Sequence, residues 1–255
     1  MLERHDHDRV VELRLARPPA NAMNTELVTA IADGMEAAVG DGAAAIVVSG
    51  QPKMFSGGLD VPALLELDEA GIRDFWAAFF RMNRTPLTLP IPVAVAITGH
   101  SPAGGAVLAI HCDRRFAAAG SFRIGLNEVQ VGLPLSENFF VALRRLVGQS
   151  QAQDLAVRGA LVDMDTAHRI GLVDELLDAD AVVGRAIEWA SEFARLPPFA
   201  MSSTLQLARA DLAEVLARLE PRFAETATRH WFSDETQGAM RAMVEALAKK
   251  KRARG

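Results

Sequence analysis

Residues 99–134 read GHSPAGGAVLAIHCDRRFAAAGSFRIGLNEVQVGLP, and the punctuation of this stretch decides the fold. An apolar run, residues 91–98, leads into it. A turn with Pro102, Gly104 and Gly105 follows, and residues 106–112 read as the buried start of a helix. A second turn leads to a short apolar segment, residues 122–125. One carboxylate, Glu128, then stands among Ile124, Leu126, Val129, Val131 and Leu133. Backbone amides at a Gly turn can stabilise negative charge, and an isolated acid in apolar surroundings can carry a proton. Together they are a minimal toolkit for moving a proton next to a carbonyl.

Working outward, residues 10–15 alternate Val and Leu with Glu and Arg, which is strand periodicity. Asn24 or Thr25 can cap a helix whose apolar positions are Leu27, Ile31, Met35 and Val39. Residues 43–49, AAAIVVS, form a continuously apolar run typical of a strand covered on both faces. A second Gly turn, FSGGLDV at 55–61, precedes a helix over 72–83 with Phe75, Trp76, Phe79 and Met82 on one face. Beyond the central stretch, helices are predicted over 137–146 (ended by Gly148), 150–158, 166–170 (capped by Asp165) and 181–196. A short edge strand is predicted over 172–176. Pro197-Pro198 is the clearest boundary, followed by helices over 201–210, 212–228 and 235–251. The fold class is α/β with an all-helical tail, divided as residues 1–196 and 197–255. Parallel strands joined by helices collect their loops at one end of the sheet, where the two Gly turns should meet.

With 255 residues, half of them hydrophobic, the chain can bury a large core. A net charge of −5 argues against nucleic-acid binding, although the last residues are basic. One cysteine, Cys112, excludes an intramolecular disulfide framework and fits a reducing compartment. The six histidines show no metal-binding spacing, so no metal is expected. The charged N-terminus lacks a signal-peptide core and no window spans a membrane, so a cytoplasmic protein is expected.

Four blocks in fixed order carry a resemblance: PPANAMN near the start, FSGGLDV at 55–61, ITGHSPAGGAVLAIHCD at 97–113 and IGLNEVQVGLPL at 124–135. Over nearly its whole length the chain resembles the crotonase family, also called enoyl-CoA hydratase/isomerase. The last two blocks look most like the Δ3,Δ2-enoyl-CoA isomerase branch. The resemblance implies a spiral of ββα units with an all-helical C-terminal region that packs as a homotrimer or a dimer of trimers. It implies an acyl-CoA thioester substrate, with coenzyme A as part of that substrate and no other cofactor. It implies an oxyanion hole built from the amides of Gly57 and Gly104, and coenzyme A held at the backbone of Ala20 and Ala22. Lys250, in the basic run 249–251, would contact the coenzyme's 3′-phosphate.

One departure shapes the functional expectation. Hydratases of the family carry two catalytic glutamates. The second falls on Glu128, but the first falls on Val107, which has no proton to give. One carboxylate suffices for a 1,3-proton shift, whereas hydration also needs a positioned and activated water. An isomerase is therefore expected ahead of a hydratase. Glu137 is either a further acid that restores hydration or a cap for the helix that follows. An acyl-CoA-binding protein with little catalysis is the third reading.

Overall fold

The computed structural model describes residues 1–252. The chain opens with an antiparallel pair, β1 (Leu2–His7) and β2 (Val10–Leu15), followed by α1 (Thr25–Gly40). Then come β3 (Ala45–Ser49), β4 (Lys53–Met54), α2 (Val61–Leu64) and α3 (Glu69–Thr88). The third unit is β5 (Val93–Ile97), β6 (Gly99–Pro102) and α4 (Gly104–His111). The fourth is β7 (Arg114–Ala118), β8 (Arg123–Gly125), a 3-10 turn (Glu128–Val131) and α5 (Glu137–Arg158). After β9 (Val162–Asp163), α6 (Met164–Arg169), β10 (Glu175–Leu177) and α7 (Val182–Phe193), two helices close the chain, α8 (Pro198–Trp231) and α9 (Asp234–Arg252).

In the second, third and fourth units, the first strand joins one sheet and the second strand joins another. The large sheet has the order β1-β2-β3-β5-β7-β10 and the small one β4-β6-β8-β9. This is the expected spiral of ββα units. The central strands of the large sheet, β3 and β5, are buried on both faces, as their apolar sequences require. Ile46, Val48, Val93, Val95 and Ile97 face the main core with α1 and α3, while Ala45, Val47, Ala94 and Ala96 face α7 through Val182, Ala186 and Ala190.

Several local expectations hold and several shift. Asn24 caps α1, its Oδ1 accepting from Leu27 N–H at 3.0 Å. Gly148 (φ 78°, ψ 166°) bends α5 into the two expected arms. The cap of α6 is Asp163, not Asp165, since its carboxylate accepts from Thr166 N–H at 2.7 Å. The helices expected over 201–210 and 212–228 are one helix, α8, because no residue between them breaks the backbone hydrogen bonding. In α7, Ile187, Trp189 and Phe193 are only half-buried; the fully covered positions are Val182, Ala186 and Ala190.

Helix α8 is fastened to the core by one buried cation. Arg209, 3% exposed, donates to Asp113 at 2.5 and 2.9 Å and to the carbonyls of Leu89 (2.7 Å) and Ile91 (3.2 Å). Asp113 in turn accepts from Val93 N–H at the start of β5. Arg209→Met should lower stability by about 3–5 kcal/mol in urea unfolding, because it leaves a carboxylate and two carbonyls short of a donor.

Candidate active site

The small sheet brings the site together. β4 pairs in parallel with β6, and β6 with β8. The segments that follow these strands therefore leave side by side: 55–60, 103–105 and 126–128. Close approach is required throughout. A Cβ on Gly99 would lie 1.9 Å from the Lys53 carbonyl carbon, and one on Gly104 would lie 2.8 Å from Met23 Sδ. Gly58, at φ +86°, packs against Ala103 and Gly104. The two Gly turns meet, as expected.

Ala103 enters α4 at φ 47°, ψ −120°, a conformation rare for a residue with a Cβ. Its N–H donates to Gly125 O at 2.9 Å, which anchors the turn to β8. Gly104 is the first residue of α4, and its N–H has no acceptor among the described residues. Unpaired amides at a helix start carry partial positive charge.

The second amide is not the one expected. Gly57 N–H donates to Ala20 O at 2.7 Å and is therefore engaged within the fold. Two residues on, Met23 N–H donates to Gly58 O (2.8 Å) and Asp60 N–H to Met23 O (2.9 Å). That parallel bridge turns the Leu59 N–H the other way, and it has no acceptor among the described residues. Leu59, Gly104 and Glu128 all line one cavity of about 640 Å³.

Glu128 opens the 3-10 turn. Its Oε2 is buried and has no hydrogen-bond partner. Burial pushes its carboxyl up to about 7, and its own backbone N–H offsets this only in part. Val107 lies buried in α4 and brings no acid to the cavity. Glu137 reaches the cavity rim, but both its oxygens accept from Arg218, at 2.7 and 3.1 Å. The hydrogen bonds and charge of Arg218 hold its carboxyl below the usual range. Nor is Glu137 the cap of α5, because Ser136 holds that position.

Ala20 and Ala22 lie outside the lining of the cavity, on the turn that backs Gly57. Ala20 O accepts from Gly57, and Ala22 O from Arg17 at 2.8 Å. The organiser of that turn is Asn21, which the sequence reading passed over. It is fully buried, its Oδ1 accepts from Arg17 N–H at 2.8 Å, and its Nδ2 donates to Phe55 O at 3.0 Å. Asp60 is structural, as read: it pairs with Arg17 at 2.6 Å and caps α2. The side chain of Lys250 lies outside the described residues.

The rest of the cavity is apolar. Trp76 and Phe79 of α3, Phe139 of α5, Phe223 of α8, and Met240 and Met243 of α9 form its walls. The aromatic stripe on α3 thus serves both core and cavity. Among the described residues, no group of three or more potential ligands could hold a metal ion. No described helix is long and apolar enough to cross a membrane.

A spiral of ββα units closed by C-terminal helices is the fold of the crotonase class. The enoyl-CoA hydratase/isomerase pattern matches residues 5–250, and the chain belongs to that family of enzymes. It is 32% identical over 208 residues to a protein of Mycobacterium tuberculosis named "Probable enoyl-CoA hydratase EchA17", covering 80% of this chain and 76% of that one. It is 27% identical over 262 residues to the mitochondrial enoyl-CoA delta isomerase 1 of Rattus norvegicus, covering 98% and 88%. The crystal structure of human mitochondrial delta3-delta2-enoyl-CoA isomerase superposes with a TM-score of 0.92 over 98% of this chain and 99% of that one. At 23% identity, that likeness speaks for the fold alone.

The raised carboxyl has a thermodynamic signature. A carboxyl that titrates near 7 when folded and near 4.5 when unfolded binds its proton more tightly in the native state. Its stabilising contribution is complete below pH 4.5 and is lost as pH rises through 7. Glu128→Gln should therefore raise Tm at pH 8, and the gain should vanish near pH 4.5, as read by calorimetry across that range.

Proposed function

We propose that the protein isomerises 3-enoyl-CoA thioesters to trans-2-enoyl-CoA, with Glu128 as the sole acid–base group. The observation that carries the proposal is that, among the described residues, Glu128 is the one carboxyl lining the cavity that is not tied to a cation. Its partner position in hydratases is Val107, and Glu137 is bound to Arg218.

In this mechanism the ionised Glu128 removes a proton from C2. The electron pair delocalises onto the thioester oxygen, giving a dienolate held by the amides of Leu59 and Gly104. The protonated carboxyl then delivers the proton to C4, and the double bond moves into conjugation. The reaction is redox-neutral, and the coenzyme enters only as part of the substrate. Two preorganised donors in a water-poor cavity match the charge that develops on oxygen; removing one such donor costs about 10²–10³ in rate. A carboxyl balanced near pH 7 both takes and returns a proton efficiently.

Two further assignments belong to this reading. Coenzyme A runs past the backbone of the Ala20–Ala22 turn, with Lys250 at its 3′-phosphate. The C-terminal region, residues 197–255, packs copies of the chain into a trimer or a dimer of trimers. Phe199 (84% exposed) and Leu207 (77%) on α8 are apolar side chains that such packing would cover.

The second reading is enoyl-CoA hydration, favoured by the likeness to the mycobacterial protein named as a probable enoyl-CoA hydratase. The two are separated by offering a 3-enoyl-CoA and crotonyl-CoA in D₂O. Isomerisation with deuterium exchange at C2 is expected, and hydration of crotonyl-CoA is expected to be negligible. Robust hydration would overturn the single-carboxyl mechanism. Glu128→Gln should abolish turnover while leaving acyl-CoA binding by calorimetry unchanged; tight binding without turnover in the native enzyme would point to a binding protein. The rate kcat/KM should rise with pH and level off above about 7, because the base must be ionised. Glu137→Gln should keep turnover within about twofold, since an exposed ion pair contributes little.

A further inference from the structure

The carboxyl of Glu128 is held by no side chain, since its Oε2 is buried and unpartnered. Its position is therefore set by the backbone of its own 3-10 turn. That turn is gripped from two directions. On one side, Gln130 Nε2 donates to Gly159 O, at the end of α5, at 2.8 Å. On the other, Thr236 Oγ1 donates to Gly132 O at 2.6 Å. Gly132 closes the turn in the left-handed region, at φ 74°. A Cβ there would lie 3.0 Å from Thr236 Cα, so the start of α9 rests directly on the turn.

Thr236 is itself well fixed. It is fully buried, its Oγ1 accepts from Ser233 Oγ at 3.0 Å, and its N–H donates to the same oxygen at 3.3 Å. Four and seven residues along α9 stand Met240 and Met243. A helix places positions i, i+4 and i+7 on one face. The face of α9 that grips the base's turn is thus the face that walls the cavity.

We propose that Thr236 is a positioning residue: through the Gly132 carbonyl it holds the Glu128 turn, and it links that turn to the packing of the acyl group against Met240 and Met243. The proposal rests on the isomerase reading wherever turnover is the readout. An acyl chain long enough to reach the two methionines presses α9 into place and fixes the base over C2. A short chain leaves that wall unloaded.

The test compares Thr236→Val, which keeps the shape and removes the donor, with Thr236→Ser, which keeps the donor. With a long-chain 3-enoyl-CoA, the Val variant should lose about 10- to 100-fold in kcat with KM nearly unchanged, the size expected of a misplaced catalytic group. The Ser variant should recover most of that loss. The native enzyme should show a higher kcat for long than for four-carbon substrates, and the Val variant should lose that preference. Native rates in the Val variant at every chain length would overturn the proposal. So would equal losses in both variants accompanied by a fall in Tm, which would mark a purely structural residue. If the native enzyme does not isomerise any 3-enoyl-CoA, the isomerase reading fails, and the clamp is judged by ¹³C NMR titration of the Glu128 carboxyl. That titration, near 7 in the native protein, should move toward the ordinary carboxylate range in the Val variant as water enters. An unchanged titration would overturn the clamp on its own.

Discussion

Among the described glycines, Gly99 of β6 leaves the least room for a Cβ, against Lys53 of β4, and the site depends on that close approach. Gly99 lies so near Lys53 that its α-hydrogen occupies the only space available. Gly125 makes a similar demand in β8, where a Cβ would stand 2.3 Å from Ala160 O. These contacts draw three short strands into one sheet, and the three chain segments that leave it become neighbours. Gly104, Leu59 and Glu128, far apart in sequence, then face a single cavity. A side chain at Gly99 would push the strands apart and separate the amides from the acid.

The site is assembled against local stability. An unpartnered carboxyl is buried, two amides are left without acceptors, and Ala103 occupies a conformation better suited to glycine. Each of these costs free energy that ordinary packing avoids. The offset comes from elsewhere: a sheet whose central strands are buried on both faces, aromatic contacts among Trp76, Phe79, Phe139 and Phe223, and the Arg209–Asp113 anchor of α8.

Sequence reading failed where position depends on partners rather than pattern. β1 is a polar strand, LERHDH, and shows no alternation because it lies on the exposed edge of the large sheet. Asp165 is the expected cap of α6, but the helix starts two residues earlier, so Asp165 falls in its first turn and Asp163 accepts from Thr166 N–H instead. The helix expected over 72–83 runs on to Thr88 through Pro86, because the packing of α3 outweighs the lost backbone bond. The shift from Gly57 to Leu59 has the same origin. Glycines mark where the backbone bends, but which N–H is left free depends on the Met23 bridge, a contact with a residue more than thirty positions away.

The sequence by itself determined the alternation of strands and helices, the helical tail and, through four ordered motif blocks, the family; the ββα spiral and the acid expected at 128 but not at 107 followed from that resemblance. Periodicity and turn residues are local properties, legible without the fold. Only the tertiary structure decided which amides are left without an acceptor, how deeply Glu128 is desolvated, that Glu137 belongs to Arg218, and that α9 closes over the Glu128 turn. Those are relations between segments distant in the chain, set by hydrogen bonds and burial that form when the sheets and the C-terminal helices come together.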